Sequence, residues 1–183
     1  MAEPLTFCTS FLSLRRFVEE TYGAGAFQKV REGLARTHHI ELPAIIAPGA
    51  WYPTQAFASG LDVGRQIFGP PGFHEMFGAK AAEYEIHWVY RPLLRFKSPL
   101  WMLEQGATVW RKAHNTGTWT IESKDRWMRG SLRDFGLVHA GYCRSLCAWL
   151  SRACEMTGTV GLRVFHPECR VTGSAACVFE GEW

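Results

Sequence analysis

Over the first 115 residues the apolar positions recur at helical spacing. Leu14, Phe17 and Val18 fall on one face of 9–22, with Thr9 or Ser10 available as a cap and Gly23 as a stop, which predicts a first helix. Phe27, Val30 and Leu34 form the stripe of a second, over 26–35, that can pack on the first. Residues 38–53 are punctuated by Pro43, Pro48 and Pro53 and read as a connection crossing the surface, with His38 and His39 solvated. Pro53 then opens a third helix running to about Phe68, with Phe57, Leu61, Gly64 and Phe68 facing one side. Gly60 and Gly64 on that helix permit a close neighbour, and Gly69-Pro70-Pro71-Gly72 ends it. A fourth helix is expected over 73–90, interrupted near Gly78 and stopped at Arg91-Pro92. Ser98-Pro99 opens a fifth by the cap-then-proline rule, carrying Leu100, Leu103, Ala107 and Trp110 up to Asn115-Thr116-Gly117.

From Thr118 the period changes to two. Trp119 and Ile121 alternate with Thr118, Thr120 and Glu122, and 126–132 supplies an antiparallel partner. A helix over 138–156 follows, capped by Gly158, and Val160, Leu162 and Val164 lead into a last hairpin closing at Thr172-Gly173-Ser174. The expectation is an α+β fold in one domain, 1–183. Residues 1–115 are its mainly helical part, packed on a small antiparallel sheet in 116–183.

Composition narrows the function. Apolar residues make up 47% and charged ones 20%, enough to bury a core. A net charge of +3, with Lys and Arg scattered, gives no nucleic-acid surface. No stretch is long and apolar enough to span a bilayer and no export signal is visible, so a cytoplasmic chain with reduced thiols is expected. Eight Trp and twelve Phe point to a heavy core and to a pocket for a planar or apolar molecule. There is no Gly-x-Ser-x-Gly elbow, no His-Glu-x-x-His, no phosphate loop and no dinucleotide fingerprint, so no enzyme is expected.

The candidate chemistry lies in the cysteines, five of the six of which fall after residue 139. The helix over 138–156 puts Cys143, Cys147 and Cys154 on one face, and the last hairpin sets Cys169 and Cys177 nearly opposite one another. If the helix crosses the hairpin, one of its thiolates can join Cys169 and Cys177, with His166 as a fourth ligand, in the tetrahedral Cys/His set that zinc prefers. Cys147 and Cys154 read as core. A Cys169–Cys177 disulfide is open to the hairpin geometry but not to a reducing compartment.

In its spacing, Cys143 followed after 26 by Cys169 and after 8 more by Cys177, the segment resembles the C-terminal half of the 4-vinyl-reductase-like domain. That module serves bacterial aromatic-sensing regulators and is related in fold to small subunits of the TRAPP tethering complexes. It departs at one point, since His166 stands three before Cys169 where an acidic residue is expected, and Glu168 is the nearby acid. The fourth ligand therefore stays open between His166 and Glu168. The resemblance implies a non-enzymatic sensory domain with a structural zinc at Cys143, His166, Cys169 and Cys177. It also implies a small aromatic or acyl ligand and a homodimer through the N-terminal helices, or alternatively a TRAPP-like interaction scaffold. A fainter resemblance joins Phe17-Val18-Glu19-Glu20-Thr21-Tyr22-Gly23 and Trp51-Tyr52-Pro53 to haem nitric-oxide-binding relatives and to myxobacterial proteins of unknown function. That reading needs a proximal histidine and a Tyr-x-Ser-x-Arg propionate clamp, and Tyr90-Arg91-Pro92-Leu93 is not one. His74 is best explained as a helix-surface residue.

Overall fold

The apolar stripes read from the sequence are the ones that become buried. A computed structural model describes residues 3–87 and 99–183. In helix α1 (Cys8–Tyr22) the side chains of Phe11, Leu14, Phe17 and Val18 are almost wholly enclosed, and in α2 (Ala26–His38) so are Val30 and Leu34. The outer face of α1 carries the Arg15–Glu19 and Arg16–Glu20 pairs. Helix α3 (Thr54–Phe68) follows, with Pro53 just before it, and ends on Gly69 in the left-handed region, at φ 75°. Gly64 lets it approach α4 (Phe73–His87), since a Cβ there would meet the Phe73 ring at 2.6 Å.

Helix α4 runs unbroken through Gly78, against the expected interruption. The glycine serves packing: a Cβ at Gly78 would lie 2.0 Å from the Ser145 carbonyl oxygen, so α4 and α6 (Ala140–Glu155) touch backbone to backbone. Helix α5 (Pro99–Ala113) opens at the expected proline. The Ser98 cap and the stretch 88–98 lie outside the described residues, as do the side chains of the stripe positions Leu100 and Leu103.

Two short strands escaped the pattern. β1 (Leu5–Phe7) and β2 (Trp51–Pro53) pair antiparallel, and Thr6 Oγ1 donates to Thr54 Oγ1 at 2.9 Å and meets His114 Nδ1 at 3.0 Å. Three residues of alternation are too few to register as a period. Strands β3 (Thr118–Lys124), β4 (Trp127–Arg133), β5 (Arg163–Glu168) and β6 (Cys177–Glu182) form one antiparallel sheet in the order β3-β4-β6-β5. β5 and β6 are hairpin partners with an irregularity between Phe165 and Glu168, and a 3-10 turn at Arg170–Thr172 leads to Gly173 at φ 95°. Met128, Leu132 and Phe179 join α1, α3, α4 and α6 in one core, which is the α+β arrangement expected. Among the described residues no helix is long and apolar enough to cross a membrane.

Candidate functional site

His139 starts α6 as its N-cap, its Nδ1 accepting from the Tyr142 N–H at 3.1 Å, and this sets the rotation of the helix that presents Cys143. Cys143 faces the β5–β6 hairpin. Its Sγ lies 3.7 Å from that of Cys177 and 3.8 Å from that of Cys169. With His166, the four ligand atoms all lie within 4.8 Å of one another. Sulfurs so far apart are not bonded, and all six cysteines are free. A tetrahedral metal thiolate site with bonds of ~2.3 Å has edges of about 3.8 Å, which is the separation seen.

The imidazole is aimed at the same point. Nδ1–H of His166 donates to the Val178 carbonyl at 2.6 Å, so in the neutral ring Nε2 holds the lone pair, and Nε2 is buried without a hydrogen-bond partner. Phe179 stacks on the ring at 4.3 Å and fixes its plane. Among the thiols, Cys177 is pulled down to about 4, chiefly because the Cys143 thiol donates to it, while Cys143 is pushed up by the same hydrogen bond. The alternative Glu168 points away, exposed and paired with Arg129 on β4. Cys154 is core, and half-buried Cys147 sits beside the Val164 carbonyl of β5. A groove of about 310 Å³ bordered by Cys147, Val164 and His166 reaches the cluster from outside.

A second constellation lies where α4, α5, α6 and β3 converge. They border a half-open apolar cavity of about 100 Å³, walled by Phe57 of α3, Phe77 and Ala81 of α4, Trp110 of α5, Trp119 of β3 and Trp149 of α6. Three titratable side chains face it, Glu85, His114 and Tyr142. Glu85 is exposed at the edge of the cavity, with Ser13 Oγ donating to one carboxylate oxygen at 3.0 Å and Trp149 Nε1 to the other at 2.9 Å. The apolar atoms crowded around it push Glu85 up to about 6, against those two hydrogen bonds and although its carboxylate remains open to solvent. His114 is held between Thr6 and the Tyr142 hydroxyl, the latter 2.8 Å from Nε2, and burial pushes it down to about 3. Tyr142 is raised by burial and by the field of Glu85, so both it and His114 are neutral. None of these polar residues was singled out from the sequence, although Phe77, Ala81 and Glu85 at spacings of four put a carboxyl on the apolar face of α4.

His74 is not on the surface. It is 2% exposed, with Nε2 2.9 Å from Asp62 Oδ1, while His139 Nε2 meets Asp62 Oδ2 at 3.0 Å, so one carboxylate ties α3 to both α4 and α6. His38 and His39 are exposed at the end of α2, as expected.

No protein-family model and no curated protein matches the chain. Solved structures do match, over nearly its whole length. A mutant H-NOX protein from K. algicida, in the Fe(II) unliganded state, aligns at a TM-score of 0.69 and 12% identity over 96% of this chain and 95% of that one. An H-NOX protein from S. oneidensis in the Fe(II)NO state gives 0.67 at 14% identity, covering 96% and 98%. An oxygen-binding H-NOX domain related to soluble guanylate cyclases gives 0.64 at 10%, covering 95% and 90%. The fold is the H-NOX fold.

This overturns the 4-vinyl-reductase-like and TRAPP-like resemblance. Three cysteines at matching intervals describe one helix and one hairpin, whereas the H-NOX likeness takes in the helical half as well. The fainter resemblance, to haem nitric-oxide-binding relatives, named the fold that the whole chain adopts. The expected structural zinc is corrected with it, because solved proteins of this fold are described by Fe(II), NO and oxygen ligation and by haem.

The cavity decides whether these residues suit a haem. Sites for drug-sized ligands run to roughly 300–1,000 Å³, and a space of about 100 Å³ is ring-sized. Among the described side chains on its wall, His114 is the one imidazole, and both of its nitrogens are engaged. Helix α5 turns Gly106, Val109, Trp110 and Ala113 to the cavity, none of which ligates iron. Where a Tyr-x-Ser-x-Arg clamp is sought, β4 offers Arg129-x-Ser131-x-Arg133, with Arg in the tyrosine's place, and none of the three lines the cavity. Arg129 is committed to Glu168 and Glu180. The described residues do not fit a haem.

Proposed function

We propose that this chain is a non-enzymatic, ligand-binding sensor domain on the H-NOX fold, whose central cavity takes a small apolar molecule in place of a haem. One observation carries the reading: a ring-sized apolar cavity stands where the helical part meets the sheet, and the imidazole on its wall has no free nitrogen. Because α4, α5, α6 and β3 all contribute to the wall, a ligand that prefers one packing of these elements shifts the population toward it, which is how binding is reported. A dimer through the N-terminal helices would have to be built on the charged outer face of α1.

The test is reconstitution. Protein mixed with hemin and desalted is expected to retain no stoichiometric Soret band, while benzene or benzyl alcohol quenches the tryptophan emission of the cavity. A one-to-one Soret band would overturn the reading.

A separate observation favours a second element. The tetrahedral edge lengths and the unpartnered His166 Nε2 support a thiophilic transition-metal ion at Cys143, His166, Cys169 and Cys177, with all four positions filled by protein and none left for a substrate.

A further inference from the structure

The carboxylate in the cavity is unaccounted for by an apolar ligand alone. Glu85 is ringed by aromatic side chains, receives two neutral hydrogen bonds, and forms no ion pair with any described Lys or Arg. It is exposed at the cavity's edge, so its charge is available to a ligand that enters among the indoles. The other titratable groups on the wall, His114 and Tyr142, are neutral and supply no countercharge. The two accepted bonds use one oxygen each, so a carboxylate, which has about four lone-pair sites, keeps room for further donors.

The aromatic walls suit the same charge. Trp110 and Trp119 stand at 79° with centroids 5.8 Å apart, and the Trp110 N–H is turned away to the Thr116 carbonyl at 2.8 Å. Trp149 commits its N–H to Glu85 and so fixes its indole beside the carboxylate. Indole faces attract cations within about 6 Å, more strongly when water is excluded. The space, about 100 Å³, is somewhat below a cavity of roughly 150 Å³ known to hold benzene, so the ligand is about one ring in size.

We infer that the cavity binds a small organic ammonium ion, its charged nitrogen on Glu85 and its apolar body among Trp110, Trp119 and Trp149. A neutral hydrocarbon makes no use of the carboxylate, and an organic acid is repelled by it. The inference rests on the cavity being a ligand site, and the experiment separates the two.

Tryptophan fluorescence and calorimetry at pH 7.5 compare benzylamine, benzyl alcohol and benzoate, which share a ring and differ in charge. Benzylamine is expected to bind tighter than benzyl alcohol by about tenfold or more, with benzoate weakest. Glu85→Gln is expected to bring benzylamine down to the level of benzyl alcohol on the same variant. Equal binding of amine and alcohol to the unaltered protein overturns the ammonium assignment and leaves the apolar cavity standing. Survival of the amine preference in Glu85→Gln also overturns it. Failure of all three probes to bind overturns the cavity reading as well.

Discussion

The α-carbon of Gly78 in α4 faces the carbonyl of Ser145 in α6 so closely that a methyl group added to it would sit 2.0 Å from the oxygen. The contact is backbone against backbone, so no side-chain rotation relieves it, and both residues also line the cavity. Gly78→Ala is expected to destabilise the fold by about 1–3 kcal/mol or more. Urea unfolding checks this. A loss below a few tenths of a kcal/mol would mean that the two helices can part freely.

The thiol cluster makes a prediction in terms of content. Protein purified without chelator is expected to hold about one equivalent of a transition-metal ion by elemental analysis. Cys177→Ser and His166→Ala should each lose it, while Cys154→Ser, at the distant core cysteine, should keep it. Equal metal in all four proteins would place the ion elsewhere.

His114 sets an acid limit. Its folded value is pushed down to about 3 by burial, below the ordinary value of 6.5. The unfolded chain therefore takes up a proton as pH falls through 6.5 while the folded chain does not, and stability is lost between about 6.5 and 3. The slope contributed is up to about 1.4 kcal/mol per pH unit in the middle of that window. His74, lowered by burial, adds in the same direction. Imidazole NMR should show the His114 ring neutral at pH 4.5, and His114→Phe should flatten the acid slope by about one proton. A ring that titrates near 6.5 would show that His114 is not buried in solution.

Glu85 acts with the opposite sign. The apolar atoms around it raise it to about 6, above the ordinary carboxylate value of 4.5. The unfolded carboxyl ionises first as pH rises, so stability falls between about 4.5 and 6 and stays at that lower level above 6. Glu85→Gln removes this fall. Its stability relative to the unaltered protein should increase from pH 4.5 to pH 7, read from thermal melts across the range. A constant difference between the two would show that the carboxyl is fully solvated.

Local periodicity is written in the sequence. Leu14 with Phe17 and Val18, Phe27 with Val30 and Leu34, and the alternation around Trp119 each announce an element from its own residues, because an apolar face must be buried at the period of its backbone. The intervals among Cys143, His166, Cys169 and Cys177 likewise suffice to propose that a helix and a hairpin meet. Which of His166 and Glu168 turns inward was beyond them. That depends on the irregularity in β5 and on Arg129, which draws Glu168 outward from a strand distant in sequence. The cavity was illegible for a similar reason. Ser13, Glu85, His114 and Trp149 come from four separate segments, and no window of the chain contains two of them at a telling spacing. The fold itself was decided by how the helical half sits on the sheet, through contacts such as Gly78 with Ser145 and Asp62 with His74 and His139. The sequence determined the elements because each is stabilised by a repeat within itself. The tertiary structure alone decided the site, because buried polar groups are satisfied by partners that are remote along the chain.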